Sequence, residues 1–291
     1  MKIRAHETFN IRKGWIHKGV KNILTYPRLF TNKELNPCDI LGIGTNMVKA
    51  LRYWLSAVGV MEEVQDGNQK IQKISPLGAI INTYDRYYEE DGTNWIIHYM
   101  LAKNKDLATS WFWFFNEFKV NSFDKALFIK ELKEYLHTEF AYDASENMLG
   151  DDFDCLIKTY CSKDNNNSPE DLNECPLTDL HLVEVSDNKV YKKVTPEKGS
   201  IHPFIVLAVI VDNAQNKEIL ISDLLNSSCN VGKVFNFDRT TCFFYLEQLQ
   251  KRGFLDIVRT AGLDLIKLTK DLSFLDIVEL YYKDINGVNL K

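Results

Sequence analysis

One face of a predicted helix over residues 45–58 carries side chains suited to contact with DNA. They are Asn46, Lys49, Arg52 and Tyr53, opposite an apolar face of Met47, Leu51, Trp54, Leu55 and Val58. Amide and guanidinium groups hydrogen-bond to base edges in the major groove, and lysine ammonium groups neutralise phosphates. Lys70 and Lys73 follow on a predicted hairpin and are candidates for phosphate contacts. The alternative is an ordinary amphipathic core helix beside an ordinary hairpin.

Three acidic side chains, Asp85, Glu89 and Glu90, are spaced to converge at one helix end. Such carboxylates hold Mg²⁺, which steadies the attacking and leaving oxygens in phosphodiester cleavage. His6 and Glu7 join them only if the chain folds back. These five are the candidate catalytic residues, and the three acids are the candidate metal ligands. The alternative, which we favour, is an exposed acidic helix terminus or a cap on the following helix.

The elements that must position the first group have the order helix, glycine, hairpin. Thr45 is the predicted N-cap of the helix, because its hydroxyl can accept from a first-turn amide. Gly59 is predicted to end the helix in the left-handed conformation. Two short strands flank Asp66-Gly67, which is a strong hairpin signal. With two earlier helices predicted over residues 13–24 and 31–35, this order predicts an N-terminal winged helix-turn-helix.

Residues 201–291 repeat this order. Helices are predicted over residues 203–213 and 218–225, and Asp238 is predicted to cap a third helix, which is followed by a hairpin that turns near Ala261-Gly262. This helix and hairpin present a second group of candidate DNA contacts, Arg239, Thr240, Lys251 and Arg259. The near-zero charge of the segment leaves protein docking open as the alternative.

The middle of the chain is predicted to be helical and rich in aromatic residues. The phrase SWFWFFNEF (110–118) has no basic residue interleaved between its aromatics, so we interpret it as packed core and not as a base-stacking surface. Residues 163–174 are acidic and rich in asparagine, which predicts an exposed loop. Alternating residues over 180–194 predict another hairpin.

The distribution of charge separates the two ends of the chain more than the net charge of −5 indicates. Residues 1–80 hold 12 basic and 6 acidic residues, a net of +6, and residues 81–200 hold 13 and 23, a net of −10. The positive excess therefore coincides with the first group of candidate DNA contacts. Six scattered cysteines and the lack of an apolar N-terminal segment predict a cytoplasmic protein. No GxxxxGK[ST] phrase occurs, which excludes ATP hydrolysis by a P-loop.

Several phrases together resemble a prokaryotic domain-of-unknown-function family, number four thousand and seven. They are HETFNIRKGWIHKG (6–19), LGIGTNMVKALRYW (41–54), PLG (76–78), DRYYEEDGTNWIIHY (85–99) and SWFWFFNEF (110–118). The resemblance implies a gene neighbourhood for DNA phosphorothioation, in which sulfur replaces a backbone oxygen. It also implies that the protein acts together with a cysteine desulfurase, an ATPase and an ATP-pyrophosphatase-like sulfurtransferase. The member of the single-strand (Ssp) system is described as a DNA-nicking protein.

The acidic phrase of this family has the pattern Asp-x-Tyr-Leu-Glu-Asp. Asp85 and Glu89 match it, whereas Tyr88 replaces the leucine and Glu90 the second aspartate. An additional methylene would displace the Glu90 carboxylate from a metal ion, which puts a metal role for Glu90 in doubt. Ala5 also stands before the His-Glu pair where the family has glycine.

From these observations we expect a mainly α fold with small β-hairpins (α+β), in which two winged helix-turn-helix domains flank a helical middle region. The expected segments are an N-terminal winged-helix-like domain (1–80), a helical domain (81–162), an acidic connector (163–200) and a C-terminal winged-helix domain (201–291). The expected function is duplex-DNA recognition in a phosphorothioation and phage-defence system. Nicking of one DNA strand is a candidate additional activity, and Mg²⁺ would be its cofactor. The alternatives are a scaffold or adaptor for the sulfur-transfer proteins, or a winged-helix transcriptional regulator.

Overall fold

The computed structural model describes residues 1–161, 175–186, 188–260 and 263–287. Contacts divide the chain into two compact units, the first comprising Met1–Phe114 and Phe118–Lys193 and the second Phe115–Glu117 and Val194–Lys291. Helices dominate, and the strands form small antiparallel sheets, so the expected α+β class is confirmed at that level. The four-segment division with boundaries at residues 80, 162 and 200 stays a prediction.

The first unit opens with three helices and a hairpin. These are α1 (Trp15–Thr25), α2 (Pro37–Leu41), α3 (Thr45–Ala57), β1 (Met61–Asp66) and β2 (Gln69–Ile74). The two strands pair antiparallel, from Met61 opposite Ile74 to Asp66 opposite Gln69, so the predicted hairpin is confirmed. Gly67 in its turn has a positive φ of 59°, which glycine adopts without steric cost.

Two details of this region differ from prediction. The short second helix is not at residues 31–35 but at α2, because the Asn36 side chain accepts from the Cys38 amide and Pro37 occupies the first turn. The N-cap of α3 is Gly44, with no side-chain hydrogen bond, and Thr45 is already the first helical residue. Both errors are local and shift boundaries without changing the order of elements.

The apolar face of α3 anchors this part of the unit. Leu51, Trp54 and Leu55 are fully buried, as their spacing predicts. The indole N–H of Trp54 donates to the carbonyl of Phe9 at 2.8 Å, which ties the N-terminal segment to the helix. Gly59 follows with a φ of +71°, so its predicted left-handed conformation is confirmed.

The remainder of the first unit surrounds an aromatic core. Its elements are α4 (Pro76–Tyr84), α5 (Asp91–Lys103), α6 (Thr109–Asn116), β3 (Ser122–Phe123), α7 (Lys125–Phe140), α8 (Glu146–Tyr160), a 3-10 helix (Pro176–Leu180), β4 (Val183–Val185) and β5 (Tyr191–Lys193). Trp111, Phe114 and Phe118 are buried, so the interpretation of residues 110–118 as core is confirmed. The predicted hairpin is present as β4 and β5, and β3 adds an unpredicted third strand beside β5. The predicted acidic loop (163–174) lies outside the described residues.

The second unit holds a three-stranded antiparallel sheet in the order β6–β8–β7. Its elements are α9 (Pro203–Asp212), β6 (Glu218–Leu220), α10 (Ile221–Asn226), α11 (Val231–Val234), α12 (Arg239–Lys251), β7 (Leu255–Thr260), β8 (Leu263–Leu268) and α13 (Phe274–Ile285). The prediction of a helix over residues 218–225 is wrong for the first three residues, because Glu218, Ile219 and Leu220 form a strand that pairs with β8. The helix begins at Ile221. The predicted turn at Ala261-Gly262 lies outside the described residues.

The ends of α12 follow their sequence signals. Asp238 accepts a hydrogen bond from the Thr241 amide at 2.6 Å, and this contact holds the pKa of its carboxyl below the ordinary value. Gly253 follows the helix with a φ of +73°. The predicted Asp238 cap is therefore confirmed.

No helix among the described residues combines the length and apolarity needed to cross a lipid bilayer.

His202 makes the stability of the second unit depend on pH. Its Nδ1 accepts from the Phe204 amide at 3.2 Å, so its Nε2–H donates to Asp284 at 3.0 Å. Burial, reinforced by the Arg252 charge, lowers the pKa of His202 although Asp284 opposes this shift. The unfolded state then binds more protons than the folded state, so the free energy of unfolding is expected to fall as the pH drops below about 6.5. Urea unfolding at pH 8, 6.5 and 5 measures this.

His202→Asn supplies the matched comparison, since asparagine keeps a capping acceptor but has no titrating group. We expect this variant to lose part of the pH dependence between pH 6.5 and 5. An unchanged slope in His202→Asn would contradict the assignment.

Candidate nucleic-acid interface

A cleft of about 970 Å³ lies between α3, the β1–β2 hairpin and the N-terminal residues of the first unit. Four basic residues line it: Lys2, Lys49, Arg52 and Lys70. Lys49 and Arg52 are one helical turn apart on α3, so they are neighbours on its surface. Lys70 comes from β2, which the hairpin turn brings back alongside β1. We call this feature the α3 cleft.

Acidic side chains partly neutralise the cations of the α3 cleft. The Arg52 Nε lies 2.5 Å from a Glu63 carboxylate oxygen, and the Lys70 ammonium is 3.9 Å from the other oxygen. Lys49 is 3.8 Å from Glu7. Burial by itself would raise the pKa of Glu63, but its hydrogen bond from Arg52 and the nearby positive charges hold the pKa below the ordinary value. Glu63 therefore carries a negative charge that competes with any phosphate for Arg52.

Tyr53 does not belong to the exposed face. It is 8% exposed, its ring is 4.8 Å from that of Trp54, and the His6 ring lies 6.4 Å away. Burial, with the Asp152 charge nearby, raises the pKa of its phenol well above the ordinary value. Tyr53 is one of the residues that line the α3 cleft, but little of its side chain reaches solvent. Its entry into a DNA groove stays a prediction, and this burial does not favour it.

Asn46 and Lys73 are exposed, as a contact role requires. The Asn46 carbonyl oxygen lies 3.5 Å from the Lys49 ammonium, at the limit of a hydrogen bond. Lys73 stands on β2 directly opposite Glu62, which lines the α3 cleft. Their roles in DNA contact stay predictions.

The second unit brings together two of its four candidate contacts. The ring of Phe243 lies between two guanidinium groups, with the Cζ of Arg239 at 5.3 Å and that of Arg259 at 5.2 Å. Arg239 also forms an ion pair with Asp264, the residue opposite Arg259 in the hairpin. Thr240 and Lys251 are exposed, but Lys251 ends α12, about 18 Å along the helix from Arg239 at ~1.5 Å per residue. DNA contact by these residues stays a prediction.

The acidic trio has the geometry of a capped turn. Asp85 is 7% exposed, and its two oxygens accept from the amides of Glu89 at 2.9 Å and Glu90 at 3.1 Å and from the Thr93 hydroxyl at 2.6 Å. Burial and the neighbouring carboxylates raise the pKa of Glu90, whose cap position precedes α5. The arrangement matches the favoured alternative, in which Asp85 stabilises the entry to the following helix.

His6 is a core residue. It is fully buried, its ring stacks 6.0 Å from that of Trp54, and its Nε2 lies 2.8 Å from an Asp152 oxygen. The amide of Thr8 donates to its Nδ1, so the proton is on Nε2 and points at Asp152. Both nitrogens are therefore occupied, and His6 is not placed to exchange protons with a substrate. Glu7 has a positive φ of 48°, and its carboxylate lies 3.8 Å from the Lys49 ammonium. Asp85 contacts other residues, Glu89, Glu90 and Thr93.

The described residues do not assemble a magnesium site from the predicted ligands. Within the described ranges, no group of three or more His, Cys, Asp or Glu side chains is arranged to hold a metal ion. Asp85 already accepts three hydrogen bonds, which leaves its carboxylate poorly available to a cation. The convergence of the three acids on Mg²⁺ is thus not supported by their geometry.

Sequence reasoning does not identify Lys2 and Glu63 as residues of the α3 cleft. The approach of Lys2 depends on the long-range packing of the N-terminal segment. Glu63 was treated only as a strand residue, although the short turn at Gly59 brings β1 back along α3 and places it against Arg52. Lys2 contributes to the net positive charge of residues 1–80, but the charge count does not show where in the fold Lys2 lies.

Comparison with known proteins concerns nearly the whole chain. A family model described as protein of unknown function (DUF4007) matches residues 3–282. A solved structure described as magnesium-ion-bound SspB superposes with a TM-score of 0.86 at 22% identity, covering 98% of this chain and 89% of that one. A second SspB crystal structure gives a TM-score of 0.84 at 23% identity, covering 100% and 89%. At such identities the likeness shows the fold alone, and no curated protein matches the chain.

Proposed function

The chain belongs to the DUF4007 family, and we propose from this membership that it is the duplex-DNA-binding component of a DNA phosphorothioation and phage-defence system. The family resemblance implies a gene neighbourhood of that kind, and the fold is that of SspB. The partners proposed on this basis are a cysteine desulfurase, an ATPase and a sulfurtransferase of the ATP-pyrophosphatase type. The protein is proposed to act in the cytoplasm, where the DNA is.

The order of elements in each unit supports two winged helix-turn-helix arrangements. In the first unit α3 precedes the β1–β2 hairpin, and in the second unit α12 precedes the β7–β8 hairpin. The second unit also has β6 between α9 and α10, and this strand pairs with β8 to complete a small sheet. In such an arrangement the helix before the hairpin enters the major groove and the hairpin lies along the backbone. We propose these roles for α3 and the β1–β2 hairpin.

The observation that carries the proposal is the collection of four cations in the α3 cleft. Lys49 and Arg52 come from α3. Lys70 comes from β2, and Lys2 comes from the N-terminal segment. Residues 1–80 also carry a net charge of +6, whereas residues 81–200 carry a net charge of −10. Clustered cations release counterions when they meet DNA phosphates, which supplies most of the non-specific affinity. The surface therefore suits a polyanion in both charge and position.

A salt titration tests DNA binding directly. A labelled 20-base-pair duplex is titrated with protein at several salt concentrations, and binding is followed by fluorescence anisotropy. The proposal predicts that log Kd rises linearly with log salt concentration, with a slope of about 3 if the cleft makes three to four phosphate contacts. A folded protein that shows no binding at ~50 mM salt would overturn it.

A substitution of Glu63 is expected to strengthen DNA binding, whereas most substitutions at a binding surface weaken it. Glu63→Gln removes the charge that competes for Arg52 and Lys70 while keeping an oxygen that accepts from Arg52. We expect the duplex affinity to rise by about three- to tenfold, since freeing a charged contact is worth on the order of 1 kcal/mol. Anisotropy at fixed salt measures the change.

The control for this prediction is Glu139→Gln, which removes a carboxylate paired with Lys105 on another part of the first unit. It changes the net charge by the same amount and should leave the duplex affinity nearly unchanged. Equal gains in both variants would show a general charge effect, and no gain in Glu63→Gln would contradict the masking of Arg52.

Strand nicking is the second candidate function, because one structure with the same fold is described as magnesium-bound. The assay combines purified protein with supercoiled plasmid and Mg²⁺ and follows the open-circular product. Glu89→Gln with Glu90→Gln is a suitable variant, since both side chains are exposed and their backbone amides keep the contacts to Asp85. Nicking that persists in this variant removes Glu89 and Glu90 as its source. No nicking by folded protein that binds DNA favours a recognition role alone.

A further inference from the structure

A second depression, of about 350 Å³, lies on the first unit at the end of α1 and just after α4. Its lining residues are His17, Lys21, Leu24, Thr25, Asn82, Arg86 and Tyr87. It shares none of these with the α3 cleft. We call it the Tyr87 surface.

Tyr87 presents an aromatic ring to solvent. It is 60% exposed, an unusual state for a large aromatic side chain in the first unit, where the tryptophans are buried. The ring of His17 lies 4.9 Å away at 44°, and His17 is itself held by a hydrogen bond of 2.9 Å between its Nδ1 and the carbonyl of Arg86. The tyrosine ring is therefore supported on one side and open on the other. Leu24, also 60% exposed, adds an apolar edge.

The charge of the Tyr87 surface is positive. Lys21 and Arg86 are exposed and line the depression, and none of its lining residues is a carboxylate. Glu89 and Glu90 follow in the chain, but they do not line it. Cations next to an open aromatic ring form the combination that binds single-stranded nucleic acid, in which a base stacks on the ring and the cations contact adjacent phosphates.

We propose that the Tyr87 surface binds unpaired nucleotides of a nucleic-acid strand, with a base stacked on Tyr87 and flanking phosphates on Lys21 and Arg86. The ring and the carboxylate-free lining favour this ligand over an acidic protein segment, which would use the same cations but has no need of an open ring. The inference goes beyond duplex binding at the α3 cleft, because the two surfaces have no lining residue in common.

The test uses a fluorescein-labelled oligothymidine of 15 nucleotides and measures its affinity by anisotropy. Tyr87→Ala is expected to weaken binding about tenfold, the loss typical of one stacked base. Tyr87→Phe keeps the ring and should bind within about twofold of the parent protein. An oligomer with the same phosphates but abasic sugars should bind the parent protein about as weakly as Tyr87→Ala binds the thymidine oligomer, and the variant should show no further loss with it.

Tyr26 provides the matched control, since it is 38% exposed but does not line the depression. Tyr26→Ala should leave the affinity for the oligomer unchanged. Because Tyr87 is largely exposed, its alanine variant should fold, and an unchanged circular dichroism spectrum and duplex affinity confirm this. Unchanged oligomer affinity in Tyr87→Ala overturns the proposal, as does an equal loss in Tyr26→Ala. Loss of a co-purifying protein with oligomer affinity intact would also overturn it, in favour of a protein-docking surface.

Discussion

Replacing Lys49 by alanine and Arg52 by glutamine is expected to lower the affinity for duplex DNA by about 100-fold. Each lost charge-assisted phosphate contact costs on the order of 1.5 kcal/mol, so two such contacts correspond to roughly a factor of 100 in Kd. The salt slope should also fall by about 2, because two fewer counterions are released. Glutamine at residue 52 retains a donor toward Glu63, so the α3 cleft keeps its internal hydrogen bond while losing the charge. Anisotropy over a range of salt concentrations measures both quantities.

The matched control is Lys130→Ala with Lys133→Gln on α7. These lysines are exposed and weakly paired, with their nearest carboxylates at 3.8 and 3.9 Å, and they do not line the α3 cleft. The control changes the net charge by the same two units and should reduce the affinity by less than about threefold through long-range electrostatics alone. Equal losses in the two double variants would contradict the assignment of the α3 cleft.

Asp152→Ala is expected to destabilise the first unit by about 3–5 kcal/mol, because several hydrogen-bond donors lose their acceptor at roughly 1–3 kcal/mol each. The Asp152 carboxylate is 1% exposed and accepts from the Arg4 amide at 2.8 Å, the His6 imidazole at 2.8 Å and the Ser110 hydroxyl. Removing it leaves three buried donors without this acceptor, and each carries a desolvation penalty. The midpoint and slope of urea unfolding give the change in free energy of unfolding.

Asp151→Ala is the adjacent control. Its carboxylate is 35% exposed and pairs at 2.5 Å with Arg4, so its loss should cost less than about 1 kcal/mol. If Asp152→Ala were as stable as Asp151→Ala, the buried network would not be what ties the N-terminal segment to α8. Preserved stability combined with lost activity would instead restore a direct chemical role for His6.

Local signals predicted the elements of the α3 cleft well. The spacing of Leu51, Trp54 and Leu55, the glycine at residue 59 and the Asp66-Gly67 turn each determine a backbone conformation within a few residues. Asp85 likewise forms a local turn, since its backbone partners lie four and five residues along the chain. The helix that follows has no side-chain cap, so the interpretation of Asp85 as its cap stays a prediction.

Errors arose where long-range packing decides the outcome. Periodicity places Tyr53 on the polar face of the predicted helix, but its side chain is nearly buried, with the His6 ring 6.4 Å away. Only the tertiary fold shows that Asp152 holds His6 in place. The pairing of residues 218–220 with β8 likewise overrides a helical pattern, because strand partners more than 40 residues away complete a sheet. Glu63 neutralises Arg52 because β1 returns along α3, and this arrangement cannot be predicted from the amino-acid composition.

Lysine labelling in the presence and absence of duplex DNA tests the central claim most directly. Exposed amines are acetylated briefly in the free protein and in the complex, and peptide mass spectrometry gives the protection of each lysine. If duplex DNA binds the α3 cleft, Lys2, Lys49 and Lys70, which line it, should be strongly protected, and Lys130 and Lys133 on α7 should not be. Full labelling of Lys49 and Lys70 in a saturated complex, with protection confined to other lysines, would contradict it.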